Sequence, residues 1–471
     1  MRLIQIFQLQ LMYCMVKYRL FGTSGVRGEI NLFLTPELAV KLSMAFSRFL
    51  GGSGDIAIGF DSRLPSRALI EACISGAMFS GLNVFYLGLI PTPVLLHVVK
   101  EFKLDGAIMV SASHTPPRYC GLIFFKGDTG ELSPMESKII EDLVFSEFST
   151  SNVFGSLHSL GDVSDIYVES ILRNFNFGSF NDLNLKIVCD IGNSPYALYF
   201  NKLFEYLGID FISINCHPDG FFPGRGANVD VNSLSYVSNI VKGGLANFGF
   251  GVDGDGDRCL FVDENGVVLS GDIIGALFSR EALLKVHSGI IVCPINTSNI
   301  ILDISSKFNG KVYFTRVGPP EIIEAIRKID NVVFAFEESG KYIWPKNILY
   351  GDPGYALIKM LEIILKYGSI HEAIKDFPRY FQFKTSIPCQ DDYKNKVLSY
   401  LRCKLDIFNP KEVIDLDGLK IILDDGWILF RPSGTEDVFR VFVEGFDEHK
   451  TIKMLDLSVK LVKDAIKMLS K

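Results

Sequence analysis

Ile56-Ala57-Ile58-Gly59-Phe60, then a helical pattern from Ala68 to Phe79, Val84 to Leu87, a second helical pattern from Thr92 to Phe102, and Ala107-Ile108-Met109-Val110 form the stretch that decides the fold. The three short runs are apolar without polar alternation, and helical spacing separates them. Strands of that kind are covered on both faces, so they predict a parallel sheet between layers of helices. Just upstream, Thr35 and Pro36 read as the N-cap and first residue of an amphipathic helix that continues from Leu38 through Phe49.

The same unit recurs twice. Lys186 to Asp190, a loop with Asn193 and Pro195, a helix near Leu198 to Leu207 and a strand at Phe211 to Ile214 repeat its order. So do Ile290 to Cys293, a loop with Asn296 and Thr297, a helix near Ile300 to Phe308 and a strand at Lys311 to Phe314. Repetition of one supersecondary unit predicts three similar α/β domains in series. After Phe377 the pattern changes: Lys420 to Leu423, Trp427 to Arg431 and Arg440 to Glu444 read as short strands, closed by a helix from Thr451 to Leu469. This predicts a smaller α+β domain. The expected divisions are 18–157, 158–266, 267–373 and 374–471, with 1–17 as an N-terminal extension.

Bulk properties exclude several classes of function. The chain has 471 residues, enough for three or four domains, and 47 Lys and Arg are outnumbered by 54 Asp and Glu with no long basic block, so nucleic acid is not an expected partner. Nine scattered cysteines without a CxxC pair point to free thiols in a reducing cytoplasm rather than to disulfides or zinc. The apolar stretch Met1 to Val16 carries three glutamines, is too short to span a bilayer and lacks a signal-peptide cleavage pattern; it reads as an extension or a misassigned start, and no membrane role is expected.

Four segments carry chemistry. Ser111-Ala112-Ser113-His114-Thr115-Pro116-Pro117 follows an apolar strand, so Ser113 sits at the edge where α/β folds place ligands, and His114 with nearby N–H groups would suit a phosphate on it. The segment also reads as a plain strand-to-helix turn. In Asp253-Gly254-Asp255-Gly256-Asp257-Arg258, between two strands, three alternate carboxylates would repel one another unless a hard divalent cation neutralised them. A solvated acidic turn is the plain alternative. An EF-hand loop would use Asp253, Asp255, Asp257 and Glu264, but Arg258 stands where its sharp turn needs Gly and the flanks read as strands. Phe334-Ala335-Phe336-Glu337-Glu338-Ser339-Gly340-Lys341 ends a buried strand in acceptors suited to sugar hydroxyls, or is a surface turn. Arg431-Pro432-Ser433-Gly434-Thr435-Glu436 combines a guanidinium, two hydroxyls and a Gly-permitted nest of N–H groups, with Arg440 nearby; it suits a phosphate dianion, or is an ordinary turn.

Together with Phe21-Gly22-Thr23-Ser24-Gly25-Val26-Arg27-Gly28, these segments in this order resemble the α-D-phosphohexomutase family, from about Leu20 to the C-terminus. The resemblance implies three similar mixed α/β/α sandwich domains and a smaller C-terminal α+β domain around one central cleft, each contributing one loop. It implies an intramolecular phosphotransferase acting on a small phosphosugar, with Mg2+ as cofactor and hexose 1,6-bisphosphate as activating intermediate. Ser113 would carry the phosphoryl group and, with Asp253, Asp255 and Asp257, hold the metal. His114, Arg27 and Arg258 would act beside the reacting phosphate. Glu337, Ser339 and Lys341 would read the sugar, and Arg431, Ser433, Gly434, Thr435 and Arg440 would grip the non-reacting phosphate.

Several positions depart from the family pattern. Thr115 and Cys120 stand where asparagines are usual, Asp437 replaces a proline and Phe336 a glycine. Ile123 occupies the place of a lysine linked to proton transfer, and Lys341 that of a histidine. These two leave the general acid/base unassigned and motivate the alternative of a non-catalytic or slow paralogue that binds sugar phosphates. The Asp253/Asp255 pair also admits an aspartate-nucleophile phosphatase, which would leave the Arg431 loop unexplained. Glucosamine, mannose and glucose phosphates all remain open as substrates, and the oligomeric state is not legible.

Overall fold

The computed structural model describes residues 20–146, 153–173, 175, 185–434 and 436–469; the expected extension 1–17 and Thr435 lie outside them. Four sheets follow one another along the chain. The first contains β1 (Val26–Glu29), β2 (Gly54–Phe60), β3 (Leu82–Leu89), β4 (Gly106–Val110), β5 (Tyr119–Lys126) and β6 (Leu157–Ser159), in the order β1-β5-β4-β2-β3-β6. β2 pairs in parallel with β3 and β4, as the unalternating apolar runs predict. β5 was not anticipated. It returns antiparallel to β4 and pairs antiparallel with β1, because residues 111–118 turn the chain straight back instead of feeding a crossover helix.

The next two sheets repeat this plan. β7 (Lys186–Asp190), β8 (Asp210–Ile214), β9 (Phe248–Val252) and β10 (Cys259–Val262) take the order β10-β9-β7-β8. β11 (Gly289–Pro294), β12 (Gly310–Thr315), β13 (Val332–Glu337) and β14 (Lys341–Ile343) take the order β12-β11-β13-β14. In both, the first strand pairs in parallel with two neighbours and the last returns antiparallel. The loops β4–β5, β9–β10 and β13–β14 therefore occupy one topological position in three domains, the carboxyl end of the parallel strand that precedes the antiparallel return, and each holds one of the chemical segments.

The fourth sheet, β15 (Phe381–Pro388), β16 (Glu412–Ile414), β17 (Leu419–Ile422), β18 (Gly426–Pro432) and β19 (Val438–Gly445), is antiparallel in the order β15-β19-β18-β17-β16. Helices Asp391–Arg402 and Glu448–Leu469 pack together, and the latter lies on β15 and β19.

Packing separates the units unequally. One apolar cluster runs from Ala57 through Phe250 and Phe336 to Ala373, binding the three α/β domains together, whereas Ile387, Leu419, Phe430, Val441 and Val462 belong to a core of their own. Between the first three domains the buried His97 Nε2 lies 2.9 Å from Asp352 Oδ2, and Tyr167 donates its hydroxyl to Asp352 Oδ1 at 2.8 Å. No described helix is long and apolar enough to cross a membrane.

Candidate active site

The serine loop is built from behind. Arg63, itself 1% exposed, sits at the head of helix Leu64–Phe79 and uses all five of its N–H donors. Nε bonds Asp61 Oδ2 at 3.0 Å; Nη1 bonds the carbonyls of Pro116 (2.8 Å) and Tyr119 (3.0 Å); Nη2 bonds those of Ser113 (2.7 Å) and Thr115 (2.5 Å). Asp61 also accepts the Ser111 hydroxyl at 2.8 Å, and Ser111 Oγ in turn accepts the Ser113 N–H at 2.8 Å. Ser113 is thereby held at φ +52°, a left-handed conformation uncommon for a residue with a side chain.

This conformation aims Ser113 Oγ at the acidic loop, where it donates to Asp253 Oδ2 at 3.0 Å and lies 3.4 Å from His114 Nδ1. Asp253, Asp255 and Asp257 are all buried, and their ligand atoms lie within 4.8 Å of one another. Asp253 Oδ1 accepts the N–H groups of Asp257 (3.0 Å) and Arg258 (3.1 Å), which tightens the loop; Asp255 Oδ2 accepts the Thr92 hydroxyl at 3.1 Å. Asp255 Oδ1 and Asp257 Oδ1 have no partner among the described residues. Three buried carboxylates with two unsatisfied oxygens are a donor set that fits a hard divalent cation.

The electrostatics agree. Burial, with the Asp257 charge, pushes the Asp253 carboxyl up to about 6, and burial raises Asp255 well above the usual range. Burial also acts to raise Asp257, but the Lys341 and Arg258 charges outweigh it and hold that carboxyl low. The Arg258 charge, then burial and Arg27, depress the His114 imidazole well below its ordinary value. The EF-hand alternative fails in three dimensions, since both Glu264 oxygens cap helix Ile370–Ile374 through the N–H groups of Ile370 and His371.

Two cations whose charges act on His114 and the acid trio have donors to spare: Nε of Arg27 and Nε of Arg258 are buried without a hydrogen-bond partner among the described residues. Arg27 Nη2 reaches Ser24 Oγ at 2.9 Å, and that hydroxyl donates to Glu131 Oε2 at 3.0 Å. Glu337 ends β13 buried, its carboxyl raised by burial against the pull of Lys341 and Arg258. Ser339 Oγ is buried without a hydrogen-bond partner among the described residues, and Gly340 is stitched to the metal loop by the Cys259 N–H at 2.9 Å. Gly340 at φ +91° lies so near the Cys259 carbonyl that a Cβ would sit 2.5 Å from it.

The fourth loop joins β18 to β19. Arg431 Nε bonds Asp417 Oδ2 at 2.7 Å, Arg440 Nη2 bonds Glu436, and the buried Lys394 ties the carbonyls of Ser433 (2.7 Å) and Glu436 (2.5 Å). Gly434 faces the first domain, where a Cβ on it would be 3.9 Å from Thr23 Cγ2. One cleft of ≈ 2820 Å3 is lined by Arg27, His114, Arg258, Glu337, Ser339, Lys341, Arg431, Ser433, Gly434 and Arg440; Ser113 and the three aspartates are buried and adjoin its lining residues His114 and Arg258 in sequence. Ten of the predicted site residues line this cleft, and the other four that the structure describes, Ser113 and the three aspartates, cluster with one another beside His114 and Arg258. Sequence reading missed Arg63, Thr92, Lys394 and Asp417, whose only signal was a charge or hydroxyl next to a turn.

A cleft whose walls come from three like α/β domains and a fourth α+β domain, with a serine facing buried acids, defines a phosphoryl-transfer architecture. The chain belongs to the phosphoglucomutase/phosphomannomutase family: its α/β/α domains I, II and III match residues 18–151, 165–266 and 270–381, and its C-terminal domain matches 389–459. A Thermococcus kodakarensis phosphoglucomutase/phosphomannomutase is 35% identical over 457 residues, covering 95% of this chain and 99% of that one. A probable phosphoglucosamine mutase of Pyrococcus abyssi is 35% identical over 454 residues, covering 96% and 99%. A solved Burkholderia thailandensis protein of the same family superposes with TM-score 0.84 at 24% identity, covering 95% of this chain and 97% of that one.

Proposed function

We propose that the chain interconverts hexose 1-phosphates and hexose 6-phosphates through a phosphoserine at Ser113 and a hexose 1,6-bisphosphate. The observation that carries this reading is the 3.0 Å hydrogen bond from Ser113 Oγ to Asp253 Oδ2, which joins a nucleophile of the first domain to the acid trio of the second. Full-length similarity to phosphohexomutases supports it. Asp253, Asp255, Asp257 and an oxygen on Ser113 would hold Mg2+, which would supply neutralisation of the charge on the moving phosphoryl group.

The rest is positioning by the chain. Arg27 and Arg258 offer to the phosphoryl oxygens Nε–H donors that make no hydrogen bond among the described residues, and burial around Ser113 excludes water that would hydrolyse the ester. Transfer breaks the phosphorus–Oγ bond and forms a bond from phosphorus to a sugar hydroxyl oxygen; that hydroxyl's proton is accounted for on Ser113 Oγ. The bisphosphate turns end for end, and the second phosphate returns to Ser113 by the reverse step. Arg431, Ser433, Gly434, Thr435 and Arg440 hold whichever phosphate is not reacting, while Glu337 and Ser339 read the sugar. Ile123 is fully buried in the apolar core, so it contributes nothing to proton transfer. The described cysteines are all unpaired, which supports a reducing, cytoplasmic setting.

Labelled hexose 1,6-bisphosphate tests the mechanism. An acid-stable, alkali-labile phosphoserine is expected on the wild type and none on Ser113→Ala; a hydroxylamine-labile label on an aspartate, or undiminished turnover of Ser113→Ala, would sink it. Ranking glucosamine, mannose and glucose phosphates by kcat/KM assigns the preferred sugar.

A further inference from the structure

Lys341 opens β14 directly opposite Glu337, and its side chain is almost fully buried. Its Nζ donates to Asp257 Oδ2 at 2.7 Å and lies 3.8 Å from the centroid of the Tyr350 ring, so the ammonium has a carboxylate on one side and an aromatic face on another. The backbone of Gly351 closes in on the lysine stem: a Cβ on that glycine would stand 2.7 Å from Lys341 Cγ. Meanwhile Asp257 Oδ1 and Asp255 Oδ1 remain without hydrogen-bond partners among the described residues. Arg258 Nε is 3.7 Å from Asp257 Oδ1 and makes no hydrogen bond to it. Both cations thus act on Asp257, but only Lys341 hydrogen-bonds it, and Oδ1 keeps its hydrogen-bonding capacity free among the described residues.

We propose that Lys341 is a tethered counter-cation of the acid trio, which stabilises Asp257 when no metal is bound and weakens the trio's hold on a divalent ion. This rests on the reading of the trio as the metal site. A buried carboxylate that loses its partner destabilises the fold, so the metal-free protein depends on the ammonium. A fixed positive charge one hydrogen bond from a ligand carboxylate repels an incoming dication, and low-dielectric surroundings screen it poorly. Lys341 thus acts on the ion through Asp257; it is a positioning and charge-balancing residue rather than a reader of sugar hydroxyls.

The test is Mn2+ binding at pH 8 to metal-stripped wild type, Lys341→Met, Lys341→Gln and Asp255→Asn, with free Mn2+ counted by electron paramagnetic resonance, alongside thermal melts with and without Mg2+. Both Lys341 variants are expected to bind Mn2+ at least about tenfold more tightly than wild type. Both should melt lower than wild type without metal and gain more from Mg2+. Folding of a variant only when Mn2+ is present would support the proposal in the same sense, and failure to fold even with metal would overturn it. Equal or weaker Mn2+ affinity also overturns it, because loss of an orienting outer-shell partner weakens a metal site. Wild type that binds no Mn2+, or Asp255→Asn that binds it as well as wild type, removes the metal reading of the trio instead.

Discussion

Arg63→Met should cripple the enzyme without touching any residue that meets the sugar. The guanidinium and Asp61 form a pair with both side chains fully buried, and removing one partner of such a pair costs about 3–5 kcal/mol. Four carbonyls of the serine loop, those of Ser113, Thr115, Pro116 and Tyr119, lose their donors at the same time. Each unsatisfied buried acceptor costs about 1–3 kcal/mol, although relaxation of the loop recovers part of that, so a net loss of about 4–6 kcal/mol is expected. Lys at this position has three donors and no planar fork, and should recover only part. Because the same bonds hold Ser113 at its left-handed φ, the loop should relax and move Oγ off the Asp253 carboxylate. A displacement of 1 Å costs about 100-fold in rate. Urea unfolding read by tryptophan fluorescence gives the stability change, and a coupled mutase assay gives kcat and KM. The fall should lie in kcat with KM little changed, since the bonds of Arg63 go to Asp61 and the serine loop and none goes to the Arg431 loop. A stability loss below about 1 kcal/mol, or a kcat within threefold of wild type, would refute the reasoning.

Arg431→Ala removes a charged donor to the non-reacting phosphate and should raise KM about 10- to 100-fold with a smaller effect on kcat; unchanged affinity for sugar phosphates by calorimetry contradicts it. Glu131→Gln should flatten the pH dependence of stability. Burial pushes the Glu131 carboxyl up from 4.5 to about 7, against the pull of Lys341 and Arg27, so the folded state binds the extra proton between those values. Wild-type stability should fall by about 3 kcal/mol as pH rises through that window and level off above it. Denaturant midpoints from pH 5 to pH 8 that slope equally in both proteins would rule this out.

The parallel cores were legible because buried strands need unbroken apolar runs, which the sequence around Ile56 to Phe60 and Lys186 to Asp190 displays plainly. β5 was not, although Tyr119 to Lys126 is apolar, since two prolines and a polar turn just before it look like the approach to a helix. The acid trio was legible from spacing as a metal candidate, but a solvated acidic turn and an EF-hand loop stayed open until burial and the capping bonds of Glu264 spoke against them. Lys341 was named only as a reader of the sugar, and neither its bond to Asp257 nor the bonds of Arg63 to the serine loop could be seen, because those partners lie 84 and roughly 50 positions away, a distance at which charge pairing leaves no local pattern. Thr435 could be named from sequence but lies outside the described residues.

The three polar loops that need irregular backbone are each held from behind by a cation that bonds main-chain carbonyls. Arg63 grips the serine loop. Arg225, whose Nε bonds Asp190 Oδ2 at 2.9 Å, reaches the carbonyls of Asn228 at 2.6 Å and of Val252, at the entrance to the metal loop. Lys394 ties both ends of the Ser433–Glu436 loop. The sugar loop has no such cation among the described residues; its Gly340 is bonded by the Cys259 N–H, which makes it dependent on the metal loop's own return strand. A turn of small residues exposes more carbonyls than its own N–H groups can satisfy, and a buried Arg or Lys meets several of them with one side chain. Each of these cations is itself paired with a carboxylate, Arg63 with Asp61, Arg225 with Asp190 and Lys394 with Asp391, so it acts on its loop by hydrogen-bonding geometry more than by net charge. A neutral donor of equal size in place of Arg63 or Arg225 would leave Asp61 or Asp190 buried and unpaired, so each of these two loops requires the pair rather than a donor alone.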